Sequence, residues 1–140
     1  ARFGARRIRI IRDELRLALR YDRRCLASKI AAGATFAALR RRCQRRLHST
    51  RIEPPRRTYG LYQSGNMDEA YVLGVLEQVG PGDELYFHPN EGGRLDRLGP
   101  NEQDLQTLLS PAVARAVEAA RCRFGGAAAS PTGRLLQVQA

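Results

Sequence analysis

Apolar positions recur along this chain with two different periods. Over residues 6–12 (Arg-Arg-Ile-Arg-Ile-Ile-Arg) they alternate, with Ile8 and Ile10 on one face and Arg7, Arg9 and Ile11 on the other, which predicts a strand. Ahead of it, residues 1–4 read like the last turn of a helix closed by a glycine. From 13 to 31 the spacing lengthens: Leu15, Leu19, Leu26 and Ile30 fall three to four residues apart, or at multiples of that, and predict a helix. Gly33 interrupts the pattern, and a second helical run carries Phe36, Leu39, Cys43 and Leu47 in register. Two adjacent prolines make 49–58 a linker, because proline lacks the N–H a helix needs.

The second half reads more crisply. Residues 59–65 form a loop with short extended character, and Asn66 and Glu69 stand at capping-box spacing. They open a helix from 67 to about 79 that buries Ala70, Leu73, Leu76 and Tyr71. Residues 80–83 are a turn, 84–88 a short β-rich run stopped by Pro89, and 90–100 a glycine-rich loop. Asn101 with Asp104 opens the next helix over Leu105, Leu108 and Leu109, and Ser110-Pro111 restarts it with an N-cap and a first-turn proline. Val113, Ala116, Val117 and Ala120 continue its stripe, and 122–124 reads as a last strand. The expected organisation is one domain over 1–124 and a variable tail over 125–140, rich in small residues. Strands alternating with helices predict an α/β fold built on a parallel sheet or barrel, with too few strands here to close a barrel.

Composition narrows the function classes. With 43% hydrophobic and 27% charged residues in 140, wholesale disorder is excluded. No run of about 18 apolar residues exists to span a membrane. Three scattered cysteines argue against a disulfide framework and for a reducing, cytoplasmic setting. The net charge of +10 is uneven: residues 1–57 hold 18 basic and 4 acidic side chains, whereas 58–140 hold 6 and 10. Nearly all the basic residues are arginine, Lys29 being the one lysine, a pattern that coding bias also produces.

Candidate chemistry is sparse. His88 ends a β-run directly before Pro89, and ligands of parallel α/β sheets gather beyond the carboxyl ends of strands. An imidazole there can give or take a proton near neutral pH, and a histidine hydrogen-bonded at a strand end is the bland alternative. Arg9 and Arg12 stand at the end of the first predicted strand, where a guanidinium can orient a carboxylate or bind substrate oxygens, or can simply be solvated. Cys43 and His48 lack further ligands at metal-site spacing and read as a packed thiol and a surface histidine. No phosphate loop, zinc-protease motif or nucleophile elbow occurs. The Arg-rich stretch 16–46 could contact phosphates, but only Tyr21 and Phe36 offer aromatic faces, which disfavours nucleic acid and leaves an anionic membrane surface open.

The segment 58–70 (Thr-Tyr-Gly-Leu-Tyr-Gln-Ser-Gly-Asn-Met-Asp-Glu-Ala), followed by Glu84-Leu85-Tyr86-Phe87-His88-Pro89, resembles the YdjC-like carbohydrate deacetylases, above all the branch associated with hopanoid biosynthesis. Residues 8–14 resemble that family's arginine-bearing strand, and 105–113 its closing helix. The resemblance implies the C-terminal part of a deformed TIM-like (β/α) barrel that removes an N-acetyl group from an amino-sugar conjugate, a glycosylated hopanoid being one such substrate. It also implies a divalent metal (Mg or Zn) held by an Asp and two His, with a strand-end histidine protonating the departing amine. His88 matches that histidine; Arg9 and Arg12 match arginines that orient the catalytic carboxylate or the sugar; Tyr59 and Gly60 fall at a substrate loop. The family's metal-binding opening has no counterpart here, since His48 and His88 are the only histidines. The expectation is therefore a C-terminal half without metal ligands, inactive alone, whose missing N-terminal half is its first partner; a homodimer stays open. The competing expectation is an Arg-rich module that binds nucleic acid or anionic membrane without catalysis.

Overall fold

The structure, a computed structural model, describes residues 14–48, 57–92, 101–124 and 134–138. In chain order it runs α1 (Leu15–Tyr21), α2 (Leu26–Leu47), β1 (Thr58–Tyr59), α3 (Glu69–Leu76), β2 (Glu84–Phe87), α4 (Glu102–Leu109), α5 (Pro111–Ala119), β3 (Cys122–Phe124) and β4 (Arg134–Val138). The predicted strand 6–12, with Arg9 and Arg12, lies outside the described residues.

The expectation of a barrel segment is corrected. Helices account for most of the described residues, and the four strands form an open sheet in the order β1-β2-β4-β3. All three pairings are parallel. A TIM-like barrel winds its strands in chain order, each beside its successor. Here β4 inserts between β2 and β3, so the winding reverses and the sheet does not close. The sequence reading assigned no strand to 134–138, yet β4 occupies that central position, its Glu84-to-Leu135 register continuing to Phe87-to-Val138.

The core gathers on the elements beside β1 and β2. Tyr59, Met67, Tyr71, Val72, Val75, Leu85, Phe87, Val113 and Val117 are buried together, and Ala18 joins them from α1. All four residues of β2 are buried, as befits a parallel strand covered on both faces. Helix α3 begins two residues later than expected, because Asp68 rather than Asn66 caps it: its side chain accepts the Tyr71 N–H at 2.8 Å. The buried face accordingly shifts to Tyr71, Val72, Val75 and Leu76, and Ala70 is exposed. The caps of α4 and α5 stand where expected: Asn101 accepts from the Asp104 N–H, and Ser110, followed by Pro111, accepts from Ala112 and Val113.

The N-terminal helices break elsewhere than predicted. Gly33 lies inside an unbroken α2, and the chain turns instead at 22–25, where Cys25 adopts φ 54°. Lys29 Nζ locks that corner, donating to the Asp22 carbonyl at 3.0 Å and to its carboxylate at 2.9 Å. Gly33 serves packing rather than a turn: a Cβ there would stand 3.1 Å from Leu15 and 3.4 Å from the Tyr62 hydroxyl. No residue of α2 is fully buried; Leu26, Ile30 and Leu39, expected on an apolar stripe, are 45%, 50% and 51% exposed. Cys43, read from the pattern as packed, is exposed as well. No helix of the described residues is long and apolar enough to cross a membrane.

Candidate active site

Strand β2 delivers the chain to His88, and two residues of the α4 entrance hold it there. The Asn101 N–H donates to the His88 carbonyl at 2.8 Å, and the Asn90 N–H donates back to the Asn101 carbonyl at 3.0 Å, so Pro89 and Asn101 form a parallel bridge. The His88 N–H donates to Asp104 Oδ2 at 2.9 Å. Asp104 is fully buried, and its Oδ1 accepts the Met67 N–H at 3.2 Å. One carboxylate at the start of α4 therefore ties the strand end to the approach of α3. The favourable field at a helix N-terminus suits a negative charge there. The imidazole of His88 is half-buried and meets the Tyr86 ring edge-on, centroids 5.4 Å apart at 81°.

The neighbouring strand β1 brings Tyr59 and Gly60 alongside. Tyr59 pairs with Leu85, which places Gly60 next to Tyr86. Gly60 has φ +114°, and a Cβ there would lie 2.5 Å from the Tyr86 carbonyl oxygen. Both the left-handed backbone and the close approach demand glycine. Tyr59 is buried, and its hydroxyl accepts from the Arg57 guanidinium at 3.2 Å. Burial holds that hydroxyl above the ordinary tyrosine range.

A third group joins them from the far side. Glu14, 4% exposed, stands at the N-cap of α1, where its carbonyl accepts the Ala18 N–H but its side chain makes no cap hydrogen bond. Its side chain instead reaches the turn after β1. Both carboxyl oxygens accept the Gly60 N–H, at 2.9 and 3.0 Å, and Oε1 also accepts the Tyr62 N–H at 3.2 Å. Oε2 accepts the Tyr71 hydroxyl from α3. Burial pushes the Glu14 carboxyl up to about 7, although the Tyr71 hydroxyl and the amides of the turn pull it the other way. The Tyr71 hydroxyl is driven well above its usual range, by burial first and by the Glu14 charge second.

Of the residues singled out from sequence, Tyr59, Gly60 and His88 thus come together at the carboxyl ends of adjacent parallel strands. Arg9 and Arg12 lie outside the described residues. Cys43 and His48 sit at the exposed end of α2. Sequence reasoning passed over Glu14, Tyr71 and the dual role of Asp104. The available signal for Glu14 was its place in the first turn of a predicted helix, directly after a predicted strand; for Asp104 it was only the capping spacing. Among the described residues no group of three His, Cys, Asp or Glu could hold a metal ion. The divalent metal implied by the resemblance therefore does not fit the residues described here.

A family model described as YdjC-like protein matches residues 1–119. No curated protein matches the chain. No solved structure matches it either.

Proposed function

The chain belongs to the YdjC-like family, and from that premise we propose that it serves in removing the N-acetyl group of an amino-sugar conjugate, with His88 as the general acid. Family membership supports a hydrolase of deacetylase type. The finer reading makes this chain the C-terminal half of such an enzyme, with a glycosylated hopanoid as one candidate substrate.

The observation that supports His88 most is its combination of a fixed backbone and an accessible ring. Its peptide is held by Asp104 on one side and Asn101 on the other, while its imidazole is half-buried beyond the strand end. Amide hydrolysis needs such a group. When the tetrahedral intermediate collapses, the C–N bond breaks and the electron pair goes to nitrogen; without a proton the leaving group is an amide anion. An imidazolium supplies that proton and is left neutral. In this scheme the turn at Tyr59 and Gly60 flanks the sugar, and Arg9 and Arg12 orient the catalytic carboxylate or the sugar oxygens. No step assigned to this chain runs through a metal.

Acetate release from N-acetylglucosamine oligomers, measured after an upstream metal-binding segment is restored, tests the proposal. His88→Ala is expected to lower turnover by about 10²–10⁴-fold with the circular dichroism spectrum unchanged. Full activity in that variant rejects the assignment.

A second reading is favoured by α2, which has no fully buried residue and carries Arg41, Arg42, Arg45 and Arg46 exposed near its end. Such a helix suits an anionic surface, and its binding would weaken steeply with salt. Absence of binding to a polyanion or to anionic vesicles at low salt eliminates it.

A further inference from the structure

We infer, on the strength of the deacetylase reading above, that Glu14 is a positioning residue: its carboxyl gathers the Gly60 and Tyr62 amides and the Tyr71 hydroxyl into one buried clasp that holds the substrate turn against Tyr86, two residues before His88. Three elements meet at this one side chain. Glu14 comes from the start of α1, the two amides from the turn after β1, and the hydroxyl from α3. The turn needs an outside acceptor. Gly60 follows the two-residue strand β1 and has left-handed φ, and its N–H points to Glu14. An apolar residue at position 14 would take this acceptor away from the buried Gly60 amide, the buried Tyr71 hydroxyl and the part-buried Tyr62 amide, a loss a fold tolerates poorly.

The clasp also fixes the far wall of the candidate site. Gly60 lies so close to the Tyr86 carbonyl that any shift of the turn must move β2 or open a gap beside it. Tyr86 in turn backs the His88 ring edge-on. Glu14 is itself too buried to meet substrate, so its influence on a reaction passes through the turn. Among the described residues, the titratable groups that face it are Tyr71 from α3 and Tyr59 from β1; Arg57 and Asp83 act on Tyr59 behind it. The carboxyl, pushed up to about 7 by burial, changes its charge near neutral pH while still in contact with both amides. Hydrogen bonds to an ionised acceptor are the stronger ones, so both amides sense the ionisation, while burial of the new charge costs the fold stability overall.

Amide resonances report this directly. In the full chain, the Gly60 and Tyr62 amide protons are expected to move downfield together as pH rises from 5 to 9, with one shared midpoint near 7. In Glu14→Gln, which keeps the shape and one carbonyl acceptor, that movement is expected to vanish. In Tyr71→Phe, which keeps the charge but removes one donor, the midpoint is expected to rise. Amides that do not titrate in the parent, or that titrate equally in Glu14→Gln, overturn the inference. The deacetylase reading fails separately, through an active His88→Ala enzyme, and the amide titration does not depend on that outcome.

Discussion

Replacing Glu14 with glutamine removes an ionisation while keeping nearly the same shape, and its effect on stability has a calculable sign. In the unfolded chain the carboxyl loses its proton near 4.5; in the folded chain burial delays that loss to about 7. Between those values the native state holds a proton that the unfolded state has released. Rising pH therefore favours unfolding. The stability that Glu14 contributes is fully present below 4.5 and is lost as pH rises through about 7. Each pH unit of separation is worth about 1.4 kcal/mol, so the whole interval amounts to about 3 kcal/mol.

Glutamine cannot ionise, so the variant escapes this loss. Its carbonyl oxygen can accept the Gly60 and Tyr62 amides as Oε1 does, and its NH₂ group can donate to the Tyr71 oxygen. Glu14→Gln is expected to match the parent near pH 4.5 and to exceed it by about 3 kcal/mol at pH 8.5. Urea unfolding followed by helical circular dichroism at fixed ionic strength measures both proteins across that range. Contributions from all other groups are common to the two curves and cancel in their difference. A difference that stays constant with pH shows that the carboxyl ionises alike in the folded and unfolded chains, and the buried setting of the clasp loses its physical basis.

Other substitutions test neighbouring parts of the same frame. Gly60→Ala meets both a left-handed φ and the Tyr86 carbonyl, and is expected to cost about 3 kcal/mol by the same urea assay. Asp104→Asn puts an amide nitrogen opposite one of its two N–H donors, the buried Met67 or the part-buried His88; it should destabilise by about 1–3 kcal/mol and reduce acetate release, as His88→Ala does. Gly74→Ala drives a Cβ to within 1.9 Å of the Tyr21 hydroxyl, an overpacking expected to lower stability by about 2 kcal/mol, and Tyr21→Ala in the same chain should recover part of it.

What the sequence made legible was local. Asn101, Ser110 and Pro111 announce the starts of α4 and α5 because capping acts over two or three residues. Glu84 to Phe87 reads as a strand because β-favouring side chains are contiguous and Pro89 stops them. Gly33 misled because glycine has two uses. Its conformational freedom suggests a break, whereas here its missing side chain admits Leu15 and Tyr62 beside an intact helix. The barrel expectation failed on a long-range property: strand order is decided by where β4 inserts, and no periodicity within β4 records its neighbours.

The candidate site divides along the same line. His88 could be found because it ends a strand stopped by proline, and Gly60 because it sits in the segment that carries the family resemblance. Glu14 could not, because its partners lie 46, 48 and 57 residues away and its own surroundings set Arg9, Arg12 and Arg16 among apolar residues. A carboxylate in such surroundings reads as a solvated charge balancing its neighbours. Only the fold shows that it turns away from its own helix and into the turn beside β2. If catalysis occurs at His88, the buried carboxyl that holds the turn gives it a pH dependence that sequence alone would not reveal, and Glu14→Gln removes that source while leaving the imidazole in place.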